Sequence, residues 1–427
     1  MQRSSRDIDA FLRPMNSTRA AAAAIGLGGA AISTVAAIPV GYVTVLGAIG
    51  TRRVRAARRD RRPSTSFTLL MPAHDEADGI GRSLRSIAAA DYPAELLAVH
   101  VVADNCTDAT ADVVRRNGFE VHERADTTAP GKGPALNWLL DRLETSDRVG
   151  DVVVVVDADT DVDPDFFVAM DEVFRTGKVA VAQGFYSVRD PDASPATSFR
   201  YAALACRHHV RSLGRRRLGG SCGLYGNGMA FKPDVLHDRP WSNHLVEDAE
   251  LQIELLLDGV MVEYVADAIV RAEMPTALDQ SESQQRRWER GRIEIARRFL
   301  PRISSAWRDG AGPSTRRALA DAMFDLTLPP LSVLFTAHMT AAALALPGAA
   351  LGRTCDRRTV LVSGACVALV AAHAIGGLAA VGADRSHYRS LLDAPRIVAW
   401  KTALWLRSLL PGGTTDWVRT RRATESP

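Results

Sequence analysis

The chain has 427 residues, of which 47% are hydrophobic and 24% are charged, so it is long enough for more than one folded unit. Its formal net charge of +3 is small for this length, which argues against a dedicated nucleic-acid-binding protein. The five cysteines show neither a C-x-x-C spacing nor an accompanying histidine pattern. A zinc site and a disulfide framework are therefore not expected, and a reducing compartment fits.

Three uncharged stretches predict that the chain crosses a membrane. They cover residues 20–50, 326–352 and 359–383, and each exceeds the roughly 20 residues that an α-helix needs to span a bilayer. The first follows a short N-terminal segment, residues 1–19, and its apolar core is longer than the roughly 7–15 residues of a cleaved signal peptide. We therefore expect it to stay in the protein as a membrane helix.

A basic linker, residues 51–66, follows the first predicted span. It contains seven arginines between residues 52 and 62. Because positive residues accumulate on the cytoplasmic side of membrane proteins, we expect the soluble domain of residues 67–300 to lie in the cytoplasm. The arginines would also contact anionic membrane lipids. The predicted location is the plasma membrane, crossed more than once.

The soluble domain is predicted to alternate between strands and helices. The predicted strands are residues 67–71, 97–103, 119–122, 152–156, 179–185 and 260–265. A first helix is predicted to end near residue 90, and the others to cover residues 109–116, 134–143, 198–213, 247–257 and 279–299. This alternation is typical of a parallel, doubly wound α/β sheet.

Two segments beyond this domain complete the predicted organisation. Residues 301–325 are expected to be an interfacial linker that leads to the second span. Residues 391–427 are expected to form an amphipathic helix in the membrane interface and a basic tail, because Trp400 and Trp405 are mixed there with cationic residues. A further membrane span over this segment is the alternative.

Two aspartates follow the valine run of residues 152–156, which predicts a buried strand. Open α/β sheets bind ligands at the carboxyl ends of their strands. One intervening residue leaves the carboxylates of Asp157 and Asp159 on the same side of an extended chain. Their oxygen atoms would suit Mg²⁺ or Mn²⁺ and, through the ion, a diphosphate. A turn-capping role is the alternative.

Further charged residues follow the neighbouring predicted strands. Asp104 ends the second strand, and Asp75 and Glu76 follow the first, so their carboxylates could bind a base or a ribose at the same edge of the sheet. Lys132 lies between two glycines and could approach a phosphate closely. A helix cap, a turn or simple solvation is the alternative for each of them.

The last cluster lies on two predicted helices. Glu247 and Asp248 open the first helix, where the helix dipole favours acids, but a functional carboxylate there would deprotonate an attacking hydroxyl. Gln284, Arg287 and Trp288 lie on a polar, cationic helix, which makes a role in the core difficult to justify. Arg287 could neutralise a leaving diphosphate, and Trp288 could stack on a sugar ring.

The order of these motifs resembles that of the membrane-embedded family 2 glycosyltransferases, which include cellulose, hyaluronan and poly-N-acetylglucosamine synthases and the ceramide glucosyltransferases. The resemblance extends from about residue 67 to residue 299 and into the flanking spans. The motifs that carry it are Met71-Pro72-Ala73-His74-Asp75-Glu76, Gly131-Lys132-Gly133 with Ala135-Leu136-Asn137, Asp157-Ala158-Asp159, Glu247-Asp248, and Q-x-x-R-W at Gln284, Arg287 and Trp288.

This resemblance implies a catalytic α/β domain of the GT-A type, flanked by transmembrane helices, that uses a UDP-sugar and Mg²⁺ or Mn²⁺. It implies that Asp159 binds the metal and that Asp248 is the base of an inverting single displacement. The residues implied to bind the donor are Asp75, Glu76, Asp104, Lys132, Asp157, Gln284 and Arg287. The residues implied to bind the acceptor are Gly226, Asn227, Gly228, Glu247 and Trp288.

The resemblance leaves the acceptor open. The leading expectation is a polysaccharide synthase-like enzyme that extends a glycan. The alternative is a single-addition enzyme acting on a membrane lipid, similar to a ceramide glucosyltransferase or a polyprenyl-phosphate glycosyl synthase. One span before the domain and two after it make a narrower bundle than polymer-secreting synthases usually have. A partner subunit or a homo-oligomer is left open, and no nucleic-acid partner is expected.

Overall fold

The computed structural model describes residues 5–51, 62–237, 239–244, 246–310 and 312–409. At residues 5–18, 278–281, 283 and 284 the description covers the backbone alone. Gln284 belongs to this group, so the role predicted for its side chain lies outside what the structure describes.

Eight strands form one sheet at the centre of the soluble domain. They are β1 (Phe67–Ala73), β2 (Leu97–Asp104), β3 (Glu120–Arg124), β4 (Val152–Val155), β5 (Thr160–Val162), β6 (Val181–Val188), β7 (Met229–Phe231) and β8 (Val262–Ala272). Their order across the sheet is β3-β2-β1-β4-β7-β6-β8-β5. The first four pair in parallel, whereas β7 is antiparallel to β4 and β6, and β5 to β8. The expectation of a parallel sheet therefore holds for one half, and the other half is mixed.

The helices surround this sheet and continue beyond it. In the soluble domain they are α2 (Ile80–Ala88), α3 (Thr110–Arg116), α4 (Lys132–Thr145), α5 (Phe166–Phe174), α6 (Pro195–Leu204), α7 (Ser212–Arg217), α8 (Pro233–His237) and α9 (Glu247–Leu257). A π-helical segment, Ala205–Arg211, joins α6 to α7. The others are α1 (Ser5–Gly50), α10 (Leu278–Arg308), α11 (Pro313–Thr327), α12 (Leu331–Ala350), α13 (Thr354–Ala380), α14 (Arg385–Arg389) and α15 (Ala394–Ser408).

The valine strand β4 lies in the middle of the sheet and is buried on both faces. Val152 and Val154 belong to the apolar cluster on one face, and Val153 and Val155 to the cluster on the other. Successive side chains of a strand point to opposite faces, so only a continuous apolar run suits a strand that is covered on both sides. This burial fixes where β4 ends and where its aspartates emerge.

The parallel half of the sheet brings three loops to one edge. Phe67 of β1 is opposite both Leu97 of β2 and Val152 of β4, so the three strands run in step. Their carboxyl ends lead to the loops that contain the predicted site residues. Asp104 ends β2, and one residue separates Asp157 from the end of β4 at Val155.

Three helices of the described part of the chain are long and apolar enough to cross a membrane, namely Arg19–Gly50 of α1, α12 and α13. They correspond to the three predicted spans. They also pack closely on one another: a Cβ atom at Gly29 would lie 2.7 Å from the carbonyl oxygen of Ala341, and Ser363 donates a hydrogen bond to Ser33 at 3.0 Å.

The segment expected as a linker, residues 301–325, is helical over most of its length. Helix α10 continues through Pro301 to Arg308, and α11 begins at Pro313. Apolar side chains explain this, because Ile303 and Leu319 are buried in a cluster with Phe299 and Ile253 of α9. The segment therefore packs on the soluble domain as an extension of it.

Candidate active site

Asp157 and Asp159 lie on a turn after β4, and hydrogen bonds from a neighbouring loop stabilise this turn. The Thr160 amide donates to the Asp157 carbonyl oxygen at 3.2 Å. The side chain of Asn227 accepts a hydrogen bond from the Asp157 amide at 3.3 Å and donates one to Thr160 Oγ1 at 2.7 Å. The loop before β7 therefore holds the turn of Asp157 and Asp159 in place.

Lys132 lies at the centre of the site, at the start of α4. Its Nζ donates to Asp157 Oδ1 at 2.5 Å and also to the carbonyl oxygen of Gly226. The glycines on either side are needed by geometry: Gly131 has φ +120°, and a Cβ atom at Gly133 would lie 2.2 Å from the Ser242 carbonyl oxygen. The backbone thus brings Lys132 between the β4 turn and the glycine-rich loop.

Glu247 and Asp248 enter the same cavity from the first turn of α9. A Cβ atom at Gly226, which has φ +77°, would lie 3.4 Å from Asp248 Oδ2 and 3.6 Å from Lys132 Nζ. The other oxygen, Asp248 Oδ1, accepts a hydrogen bond from the Ala249 amide at 2.8 Å. The catalytic-base candidate and the Lys132–Asp157 pair therefore meet at Gly226.

Burial raises the pKa of three carboxylates in this cavity, and neighbouring carboxylates add to the rise for two of them. Burial, and then the charge of Asp157, raise the pKa of Asp159 to about 6. Burial, and then the charge of Asp248, raise the pKa of Glu247 to about 7, and burial also raises that of Asp248. Burial alone would lower the pKa of Lys132, but the surrounding carboxylates outweigh it and raise this pKa. The cavity has more negative charge than Lys132 balances.

The β4 turn fits a divalent cation. Among the described residues, the Asp159 carboxylate receives a hydrogen bond only from Thr160, at 3.2 Å, while Arg189 donates to its backbone oxygen. Asp157 and Asp159 form no cluster with a third potential protein ligand in the described part of the chain. Mg²⁺ and Mn²⁺ suit such a site, since one or two carboxylates hold them and phosphate oxygens and water complete the shell.

Helix α10 forms another wall of the site. The guanidinium of Arg200 lies 5.6 Å from the centre of the Trp288 ring. Burial lowers the pKa of Arg287, and the charge of Glu247 partly opposes this, which places Arg287 on the α9 side. Lys401 of α15 donates to Glu289 at 2.8 Å, so the C-terminal helix supports the segment that contains Arg287 and Trp288.

Several predicted residues are engaged by other protein groups. The buried Asp104 carboxylate accepts a hydrogen bond from Arg124 at 2.6 Å, so a nucleotide would meet an ion pair there. Asp75, at φ +52°, accepts a hydrogen bond from the Thr107 amide at 2.6 Å. Asn227 is fully buried, and both atoms of its amide hold the β4 turn. The structure shows Asn227 holding this turn, and its contact with the acceptor stays a prediction.

The structure also adds residues that the sequence did not indicate. Tyr186 of β6 lies near Asp157 and Asp159. Its pKa is raised by burial and then by the charges of Asp159 and Asp157. Arg200 stacks on Trp288, and the charge of Arg207 opposes part of the rise that burial causes in the pKa of Asp248. These residues lie on elements without a recognisable motif, and no signal in the sequence distinguishes them from surface cations and core aromatics.

The mixed sheet and the site at its edge define an enzyme of the GT-A fold. Residues 63–291 match the family model described as glycosyltransferase like family 2. This match covers more than half of the chain, and the protein belongs to this family of glycosyltransferases.

Curated relatives have the same class of activity in their names. The beta-monoglucosyldiacylglycerol synthase of Trichormus variabilis is 25% identical over 301 residues, which cover 68% of this chain and 62% of the relative. An N-acetylglucosaminyltransferase of Rhizobium meliloti is 27% identical over 273 residues, which cover 58% of this chain and 60% of the relative. The similarity thus spans about three-fifths of the length of these relatives.

Among solved structures, the mannosyltransferase PcManGT from Pyrobaculum calidifontis is similar over nearly its whole length. The superposition covers 83% of this chain and 97% of that one, with a TM-score of 0.53 and 20% sequence identity. That structure is a complex with GDP-mannose and Mn²⁺. At this identity the likeness supports the fold.

Proposed function

We propose that this protein transfers a single sugar from a UDP-sugar to a hydroxyl group of a membrane lipid, by a metal-dependent single displacement that inverts the anomeric centre. One observation carries the proposal: the carboxylate of Asp248 and the Lys132–Asp157 pair meet at Gly226. A group that can hold a diphosphate and a carboxylate that can act as a base are thus within reach of one bound donor, as an attack on its anomeric carbon requires.

The donor side consists of the β4 turn, Lys132 and Arg287. Asp159 would hold Mg²⁺ or Mn²⁺, with Asp157 beside it, and the ion would neutralise charge on the departing diphosphate. Lys132, which donates to Asp157, would also donate to that diphosphate, and Arg287 would supply a further cation on the α9 side. These groups are half-buried, which strengthens each electrostatic contact relative to bulk water.

The acceptor side consists of Asp248 and its surroundings. Asp248 accepts the proton of the attacking hydroxyl, because its Oδ2 lies toward the cavity while Oδ1 is held by the Ala249 amide. Its raised pKa makes it a stronger base than an exposed aspartate. Glu247 maintains negative charge beside it, and Trp288 offers a ring face to the acceptor or the sugar.

Close packing of the spans favours a lipid acceptor over a secreted polymer. The backbones of α1 and α12 approach so closely at Gly29 that an added Cβ would overlap the Ala341 carbonyl, which leaves no room for a glycan between these two helices. A relative named as a glucosyldiacylglycerol synthase is consistent with this choice. The proposed location is the plasma membrane, with several spans and the catalytic domain in the cytoplasm.

A polysaccharide synthase is the second candidate, because the Q-x-x-R-W element of α10 is present. In that case a partner subunit or a second copy of the chain would have to provide the passage for the polymer.

Product analysis tests the proposal. The purified full-length protein would be incubated in detergent with labelled UDP- and GDP-sugars, Mg²⁺ or Mn²⁺, and a lipid extract of the expression host's membranes. We expect one labelled lipid whose mass has increased by one sugar. A ladder of products, or label retained only in a water-soluble or insoluble polymer, would contradict the single-addition reaction.

A further inference from the structure

Two arginines on the helix beside the site lack a hydrogen-bonding partner among the described residues. Arg200 of α6 and Arg207 of the π-helical segment make neither a hydrogen bond nor an ion pair with any residue that the structure describes, although Arg200 stacks on Trp288. On the same continuous helix, Arg215 donates to Asp321 at 2.6 Å and Arg211 pairs with Asp325. The arginines that face α11 are therefore paired with its aspartates, whereas Arg200 and Arg207 can bind a ligand.

Both side chains point toward the acceptor side of the site. Arg200 lies against Trp288, and the charge of Arg207 acts on the pKa of Asp248. The charges of both arginines lower the pKa of Lys401, after the larger effect of burial. Arg200, Arg207 and Lys401 thus lie near one another on the wall of the cavity that contains Trp288.

The helix that contains Arg207 also contacts the ends of two predicted spans. A Cβ atom at Gly377 of α13 would lie 2.5 Å from Cys206 Sγ, and one at Gly50 of α1 would lie 1.9 Å from the Val210 carbonyl oxygen. Residues on both sides of Arg207 are therefore in direct contact with membrane helices. If α1 and α13 cross a membrane, these contacts place Arg207 at the membrane surface, where the headgroup of a lipid acceptor would lie.

Half-buried guanidinium groups without an acceptor are unfavourable, because burial removes water that is not replaced. Burial lowers the pKa of Arg200 to about 10, which reflects this cost. A π-helical turn, frequent at functional sites, holds Arg207 in place. A planar guanidinium donates two parallel hydrogen bonds to a phosphate, and this match makes phosphate the most suitable partner.

We infer that Arg200 and Arg207 bind a phosphate group of the acceptor, so that the acceptor is an anionic, phosphate-bearing membrane lipid with a free hydroxyl. This inference rests on the proposed function. A hydroxyl oxygen of the lipid attacks the anomeric carbon, and its proton passes to Asp248. The bond from that carbon to the diphosphate breaks, and the nucleoside diphosphate leaves with the bonding electrons. The lipid phosphate is unchanged and only positions the hydroxyl.

The test separates acceptors by charge. Lipids of the expression host's membranes would be divided by anion exchange into neutral and acidic fractions, and glycerol 3-phosphate would serve as a water-soluble phosphate ester. The full-length protein would receive each with the labelled donor. We expect label in the acidic lipid fraction and none in glycerol 3-phosphate. Label in the neutral fraction or in glycerol 3-phosphate would overturn the inference, and label in no lipid fraction would overturn the proposed function with it.

Variants assign the effect to the arginines. We expect Arg200→Met and Arg207→Met each to raise the apparent KM for the acidic lipid about tenfold or more, as loss of a charge-assisted hydrogen bond predicts, and to raise the donor KM much less. Arg207→Lys should restore part of the loss, which a misfolded variant would not do. The control is Arg216→Met, since Arg216 is exposed on the same helix and pairs with Glu263. A rise confined to the donor KM would assign these arginines to the donor diphosphate and overturn the inference.

Discussion

Replacing Asp248 by asparagine removes the proposed base while it keeps the shape of the side chain. The amide oxygen can still accept the hydrogen bond from the Ala249 amide, which Asp248 Oδ1 accepts at 2.8 Å. Folding should not suffer, because burial raises the pKa of Asp248 and the charged form is therefore not favoured by the folded state. The expected effect is kinetic.

The magnitude follows from the role of the group. A positioned general base contributes about 10²- to 10⁴-fold to the rate, which corresponds to about 2.7–5.4 kcal/mol of transition-state stabilisation. The groups proposed to hold the donor, Lys132 and the β4 turn, are unchanged by this substitution. We therefore expect kcat to fall by this factor, while the donor KM stays within about threefold, since the interaction lost is made only in the transition state.

The assay is sugar transfer to the lipid extract at saturating donor, with the melting temperature measured in parallel. Asp258→Asn is the matched control, because Asp258 follows the same helix, is half-exposed and pairs with Arg239; its activity should equal that of the wild type. If Asp248→Asn retained more than about a tenth of wild-type kcat, the assignment of the base would be wrong.

Three further predictions follow from the contacts of the site. Activity should be lost on acidification as the Glu247–Asp248 pair becomes protonated, because the base must be deprotonated. Glu247→Gln removes a negative neighbour of Asp248, which lowers the pKa of Asp248 and should move the acidic limb of the kcat/KM profile to lower pH. An unmoved limb would refute the coupling of the two carboxylates. Chelation of divalent cations should abolish sugar transfer, and added Mn²⁺ or Mg²⁺ should restore it. Asp159→Asn should raise the metal concentration that gives half-maximal activity by at least about tenfold. Activity that persists in the presence of the chelator would refute the metal site. Lys401→Met should destabilise the protein by about 1–3 kcal/mol, because it leaves Glu289 buried without its cation. The double variant Lys401→Met, Glu289→Met should recover part of the loss in melting temperature. Strictly additive losses would contradict the contact between α15 and α10.

The sequence predicted the elements whose burial leaves a clear pattern. The valine run becomes a strand covered on both faces, with Asp157 and Asp159 directly after it. Helix α9 begins and ends at the predicted residues, Glu247 and Leu257, because acids favour its start and an apolar face fills its interior. These local signals located the β4 turn and the base candidate.

The mixed half of the sheet could not be predicted in the same way. Strands β5 and β7 have three residues each, which is too short for a period of two to be recognised. Their pairing depends on partners far along the chain, such as Val162 with Val270. Strand direction there is set by tertiary packing, which propensity does not encode.

The hydrogen-bonding partners of individual side chains could not be predicted from the sequence either. Asp104 was expected to meet a nucleotide, yet its carboxylate pairs with Arg124 from the neighbouring strand. Asn227 was expected to contact the acceptor, yet it is buried and holds the β4 turn. Motif order indicates which residues approach one cavity, but the direction of each side chain depends on cross-strand register and on loop geometry.

The most direct test of the account is the binding of UDP to three forms of the full-length protein, measured by titration calorimetry with and without Mn²⁺. The account predicts that the wild type binds UDP only with Mn²⁺, that Asp159→Asn loses this binding, and that Asp248→Asn keeps it although it does not turn over. UDP binding that is independent of Mn²⁺, or that is lost in Asp248→Asn and kept in Asp159→Asn, would contradict the account. In the account, Asp159 holds the donor through a metal ion and Asp248 acts as the base in the same cavity.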